Sequence, residues 1–196
     1  MSADECWDFV RAQGFGHLIA PGSGRDLPVV VPTQFVVPQI GAVVLHLAAP
    51  NPVWDALAEH SRALVSVAGD WAYIPTAWKA ISDEDPRLGI PTTYYAAVQL
   101  ECDAQVVDDD DGKLAILRLQ LDALQPDIDA ADPEAHTSRL PGIRGLRLSV
   151  TGLRAKFKFG GNVDAEHRLA IAEHLTERAG PGDAAARTHL LRRLNV

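Results

Sequence analysis

The sequence predicts a mostly β protein with peripheral helices, an α+β fold whose centre is an antiparallel barrel. Three observations carry that expectation. Six or seven short apolar, β-branched runs follow one another at hairpin-like spacing between residues 16 and 159. The turns between them are rich in Gly, Pro, Asp and Asn, and no strand–helix–strand alternation appears that would call for a parallel sheet. Helical periodicity is confined to the two ends, one short piece after residue 50 and one insertion near residue 110.

Each element has a local reason. Ser2 or Asp4 can cap a first helix over 3–13, with Cys6, Phe9 and Val10 as its apolar stripe, and Gly14 ends it. "GHLIAP" (16–21) reads as a short strand and "GSGRD" (22–26) as a turn. "LPVVVPTQFVV" (27–37) reads as one return strand, with Pro28 and Pro32 placing it at a bulge or an edge. "AVVLHLA" (42–48) is another strand, and Asn51-Pro52 opens a helix over 51–60. "RALVSVAG" (62–69), "WAYI" (71–74) and "TTYYAAVQLECDAQVV" (92–107) are three further strands. An acidic loop, "SDEDPR" (82–87), joins the last two.

Asp108–Asp111 form a turn and an acid-capped N-terminus for a helix over 108–125, with Leu114, Leu117, Leu121 and Leu124 at helical spacing. A Pro/Asp/Ala loop (126–142) leads to "LRLSVTGLRAKFKF" (146–159), one strand or a bent pair. Helices over 163–180 and 182–194 close the chain. The organisation expected is one domain over 1–196, with the barrel at about 14–160, an inserted helix at about 109–125 and C-terminal helices at about 163–194.

Composition narrows the function. Hydrophobic residues make up 47 % and charged ones 22 %, an ordinary globular balance. The net charge of −8 opposes a role resting on phosphate-backbone affinity, and no basic stripe or helix-turn-helix pattern is present, so direct DNA binding is not expected. The exception is local: Arg154, Lys156 and Lys158 alternate along "LRAKFKF" and share one strand face, enough charge for a single phosphate. Two cysteines, Cys6 and Cys102, suggest neither a metal cluster nor a disulfide framework. No signal peptide and no membrane span is read, so a cytoplasmic protein is expected.

The standard nucleotide, hydrolase and zinc motifs are absent. His167 and His174, seven apart on one helix, read as a solvated face. A looser constellation remains. His46 ends a strand just before the Asn51-Pro52 helix start. Tyr73, Thr76 and Trp78 face Thr92, Thr93 and Tyr94 across the acidic loop. Lys156, Lys158 and Asn162 end the last strand. Each ring alone, Trp54, Trp78 or Tyr94, reads equally as core or dimer interface. Together, rings, hydroxyls, a helix start and a lysine pair suit a flat aromatic ligand carrying a phosphate.

Four blocks in this order resemble those of the PaiB-type FMN-binding proteins, within the split-barrel flavin-binding superfamily that also holds the pyridoxamine-phosphate oxidases. "LHLAAPNPVW" (45–54) resembles G-H-x-A-R-A-N-P-x-W, and "WAYIPTAW" (71–78) resembles A-Y-I-S-P-S-W. "IPTTYYAAVQLE" (90–101) resembles V-P-T-W-N-Y-x-x-V-H. "GLRLSVTGLRAKFKFGGN" (145–162) resembles G-F-E-I-E-I-x-x-x-x-G-K-W-K-L-S-Q-N. The resemblance runs from about residue 14 to 178. It departs where Ala49 stands for the family arginine, Gly160-Gly161 for Ser-Gln, and Gln99 for histidine.

The resemblance implies an antiparallel split β-barrel of the FMN-binding type and a homodimer with the flavin at its interface. It implies that the 73–78 and 92–95 shoulders hold the isoalloxazine while His46, Asn51, Lys156 and Lys158 address the phosphoribityl chain. FMN is the cofactor implied. The loss at Ala49 leaves a deazaflavin, or no cofactor, as alternatives. Two roles follow: a flavin-dependent oxidoreductase on a small substrate, or a non-catalytic regulatory protein, the family carrying a "negative transcriptional regulator" label.

Overall fold

The computed structural model describes residues 2–80, 85–192 and 194. The elements in chain order are α1 (Ala3–Gln13), β1 (Phe15–Ala20), β2 (Val29–Gln34), β3 (Val36–Gln39), β4 (Ala42–Ala48), α2 (Val53–Glu59) and β5 (Arg62–Ile74). There follow β6 (Thr92–Val107), α3 (Asp110–Leu124), β7 (Ile143–Lys158), α4 (Ala165–Arg178) and α5 (Asp183–Arg192). Three 3-10 turns, Thr76–Lys79, Pro86–Leu88 and Pro133–Gly142, complete the set. Within the expected acidic loop, Ser82, Asp83 and Glu84 lie outside the described residues, as does Arg193 in the last expected helix.

The seven strands form one antiparallel sheet in the order β2-β1-β5-β6-β7-β4-β3. The expected single strand over 27–37 is two strands, and the reason is closure. β2 pairs with β1, whereas β3 pairs with β4 at the other end of the order. One residue, Phe35, joins them, and its N–H donates to the Gly14 carbonyl at 3.0 Å. Across a flat sheet of seven strands the two ends would lie about 29 Å apart. A single linking residue spans only about 7 Å. The sheet therefore curls until its edges meet, and Phe35, 1 % exposed, seals the join. Pro32 sits in β2, where the outer side of the strand makes no ladder and the missing N–H is harmless.

β5 is one strand where the Gly69-Asp70 step reads as a break. Asp70 adopts the left-handed region at φ 51° within it, a conformation Asp tolerates, and its Oδ2 lies 2.7 Å from His189 Nε2. β7 is a single strand, which settles the alternative of a bent pair.

Clustering of the fold gives two compact units, 1–67 with 98–154 and 68–97 with 155–196. In the first, Leu18, Val43, Leu45, Val65, Leu100, Leu146 and Leu148 are buried. α1 buries Trp7 beside the expected Cys6, Phe9 and Val10, and Ser2 caps it by accepting from Glu5 N at 3.2 Å. In the second, Ile74, Tyr94, Ala96, Phe159, Ile171, Leu175 and Leu190 are buried. Among the described residues no helix is long and apolar enough to cross a membrane.

α3 corrects the expected leucine stripe. Its buried face is Lys113, Leu114, Ile116 and Gln120, with Ile116 packed among Val36, Val44 and Val107. Leu117, Leu121 and Leu124 instead line an open cavity of about 590 Å³. The acid run behaves as read: Asp109 caps α3 by accepting from Gly112 N at 2.7 Å, and Asp108 pairs with Arg144 at 2.6 Å. Asp109→Ala is expected to cost about 1 kcal/mol, read as a shift in the denaturation midpoint at constant slope.

Candidate functional site

The second unit holds both shoulders of the expected site. After β5, Pro75 cannot continue the ladder and the chain folds into the Thr76–Lys79 turn. Trp78 leaves this turn between two partners on α4. Its ring stacks on His174 at 4.9 Å and 15°, and the Arg178 guanidinium lies over it at 4.6 Å. Arg178 is fixed in turn: it donates to the Tyr73 carbonyl at 2.8 Å and grips Asp183 through two bonds of 2.8 and 2.5 Å. Asp183, buried, also accepts from Gly180 N at 2.8 Å. The hydrogen bonds from Arg178 hold its carboxyl below the usual carboxylate range. His174 is therefore half of a ring stack, not a purely solvated residue. His167 has a buried Nε2 with no hydrogen-bond partner, and burial together with Lys79 pushes its imidazole pKa down.

The end of β7 obeys strand alternation. Phe157 and Phe159 turn inward onto His189, at 5.3 and 4.6 Å between ring centroids. Lys156 and Lys158, on the other face, line a cavity of about 570 Å³. That cavity also takes Lys79, Thr92, Tyr94 and Asn162, and its rim carries the exposed Leu88 and Ile90. Among the described residues, no Asp or Glu lines it. Lys158 donates to Thr92 Oγ1 at 2.6 Å. Burial, and then repulsion from Lys158, lowers the Lys79 pKa.

The structure thus brings together Thr92, Tyr94, Lys156, Lys158 and Asn162. Tyr73, Thr76 and Trp78 lie in the same unit outside the cavity lining, and Thr93 falls on the strand face opposite Thr92 and Tyr94. His46 and Asn51 belong to the other unit. There His46 Nδ1 meets Gln120 Oε1 at 2.6 Å and lines the 590 Å³ cavity. Asn51 is a cap: its Oδ1 accepts from Val53 N at 3.0 Å and its carbonyl from Trp54 N at 3.3 Å, so the first turn of α2 is closed by its own chain. Trp54 is buried, donates to the Ala48 carbonyl at 2.9 Å and lies under Arg144. Lys79 escaped the sequence reading. It stands alone in a loop pattern, and only the fold sets it beside the β7 lysines.

Against known families, residues 1–152 match the profile described as "Putative FMN-binding domain". The chain belongs to this FMN-binding family. Its relative in Bacillus subtilis, protease synthase and sporulation protein PAI 2, is 25% identical over 186 residues, covering 92% of this chain and 87% of that protein. Among solved structures, the flavocytochrome Anf3 of Azotobacter vinelandii superposes with a TM-score of 0.62 at 20% identity, covering 86% of this chain and 73% of the other. The FAD and heme binding protein of Mycobacterium smegmatis gives 0.62 at 22%, covering 88% and 78%. The fold is accordingly the antiparallel split β-barrel of the flavin-binding type.

Of the cofactor states left open by the sequence, FMN is the one family membership supports. The lysine cavity fits its phosphate end: among the described residues it offers three ammonium groups, a threonine hydroxyl, an amide, no carboxylate, and a phenol that lacks a partner. The family match stops at residue 152, so Lys156, Lys158 and Asn162 lie beyond it while Lys79, Thr92 and Tyr94 lie within.

Proposed function

We propose that this FMN-binding protein works as a homodimer in which the lysine cavity receives the cofactor phosphate and the flavin passes electrons to or from a small substrate. The observation that carries the reading is the cavity: Lys79, Lys156 and Lys158 converge with no Asp or Glu among the described residues that line it. Lys156, Lys158 and Asn162 then bind the phosphate, and Thr92 orients Lys158 through its 2.6 Å bond. Bound FMN supplies one- and two-electron transfer, so the chain needs no nucleophile–base pair of its own. Tyr73, Thr76, Trp78 and Thr93, in the same unit as the cavity, are assigned to the flavin ring side in the assembled dimer. Trp71 and Tyr73, two apart on β5 and 58% and 51% exposed, form a same-face aromatic pair suited to a second copy. A cytoplasmic setting belongs to the same reading, since Cys6 and Cys102 are both free and buried.

A non-catalytic, regulatory flavoprotein is the second reading, favoured by Ala49 and Gly160-Gly161, where the family's polar side chains are missing. Freshly purified protein is expected to carry visible flavin absorbance and to release FMN on denaturation. A colourless protein that takes up no added FMN overturns the flavin reading. Anaerobic mixing with NAD(P)H separates the two roles: bleaching of bound flavin supports the oxidoreductase, and binding without bleaching supports the regulator.

A further inference from the structure

We propose that the lysine cavity selects a terminal phosphomonoester, and that the Tyr94 hydroxyl and Lys79 complete that selectivity. The inference rests on the flavin reading above but concerns which part of the ligand is recognised. Tyr94 is 2% exposed, and its hydroxyl is a buried donor with no hydrogen-bond partner among the described residues. Such an unpaired group carries a desolvation penalty that a ligand oxygen relieves on binding. Burial raises the phenol pKa, so the group stays protonated and able to donate.

This hydroxyl lies against Gly160, with the Val163 side chain beside the glycine. Gly160, at φ 66°, lies so close that a Cβ there would stand 2.6 Å from the Tyr94 oxygen. Gly161 beside it faces open space. The Gly-Gly pair thus sets no side chain of its own against the phenol or into the cavity that both line. It occupies the place where the family pattern has Ser-Gln. A serine at 160 would meet both the positive φ and the phenol.

The remaining groups decide the ligand class. Lys79 and Lys158 repel one another, and among the described residues no carboxylate lines the cavity. A phosphomonoester brings ≈ −1.5 to −2 charges and three terminal oxygens, matching several point cations and an O–H donor better than a single carboxylate does. The T-shaped packing of Tyr94 against Phe159, 6.0 Å between centroids, holds the ring.

The test is a fluorescence-quenching titration of the cofactor-free protein with FMN and with riboflavin, in the wild type, Tyr94→Phe and Lys79→Met. FMN is expected to bind at least about 100-fold more tightly than riboflavin. Each variant is expected to weaken FMN about tenfold and leave riboflavin unchanged. Tyr94→Phe is also expected to keep or raise the thermal midpoint of the unliganded protein, because it deletes an unpaired buried hydroxyl and keeps the ring. Equal affinity for the two flavins, or variants that leave FMN binding unaltered, overturns the inference and leaves the flavin reading standing. If neither flavin binds, the flavin reading fails and inorganic phosphate decides. A phosphate-dependent rise in midpoint for the wild type, lost in Tyr94→Phe, supports the site, and no rise overturns it.

Discussion

Replacing Lys156 and Lys158 together by alanine is expected to weaken FMN binding about 100-fold, or ~3 kcal/mol, with the fold intact. Both lysines are exposed ends of the last strand, and the inward-facing partners that hold the strand, Phe157 and Phe159, are untouched. Surface changes of this kind shift stability by at most about 0.5 kcal/mol. Removal of Lys158 also relieves its repulsion of Lys79, whose pKa returns toward the ordinary lysine value. Titration of flavin fluorescence checks the affinity, and the thermal midpoint of the unliganded protein checks the fold. Unchanged affinity would make the lysines a solvated edge and remove the phosphate assignment.

Arg178→Ala is expected to be the most destabilising single change near the site, by about 3–5 kcal/mol, because it leaves the Asp183 carboxylate buried without its cation. It removes three things at once: the bidentate grip on Asp183, the bond to the Tyr73 carbonyl and the cation over Trp78. Asp183→Asn, which keeps shape and loses charge, is expected to cost less. The pH dependence has a definite sign. The folded Asp183 carboxyl has a depressed pKa, so its stabilisation is fully present above the unfolded value and disappears as the pH falls through the folded one. Urea melts of wild type and Arg178→Ala at neutral and acid pH should therefore converge toward the acid end. Melts that stay equally far apart there would mean that packing on Trp78, not the ion pair, carries the effect.

Local chemistry made much of this legible. β4 and β6 fall where β-branched alternation puts them, α1 starts at its serine cap and ends at Gly14, and α3 begins at its aspartate cap. Motif order also led to the FMN-binding family, since the blocks around Asn51, Trp78, Thr92 and Lys156 lie along one chain in fixed succession. Each of these signals is short-range: a cap, an alternation or a motif is complete within a few residues.

Three features depended on distant chain segments meeting. The run 27–37 looks like one strand because its residues share one propensity, and only the meeting of the sheet's two edges divides it at Phe35. The leucines of α3 look like its core face because the helix says nothing about which neighbour arrives, and Val36, Val44 and Val107 select Ile116 instead. Lys79, with Tyr94 under Gly160, comes to line one cavity only where the 76–79 turn, β6 and the end of β7 converge. The sequence by itself determined the elements, the family and the lysine face. Tertiary structure decided which polar groups share a cavity, because burial, repulsion between ammonium groups and an unpaired phenol are properties of neighbours that the chain brings from far apart.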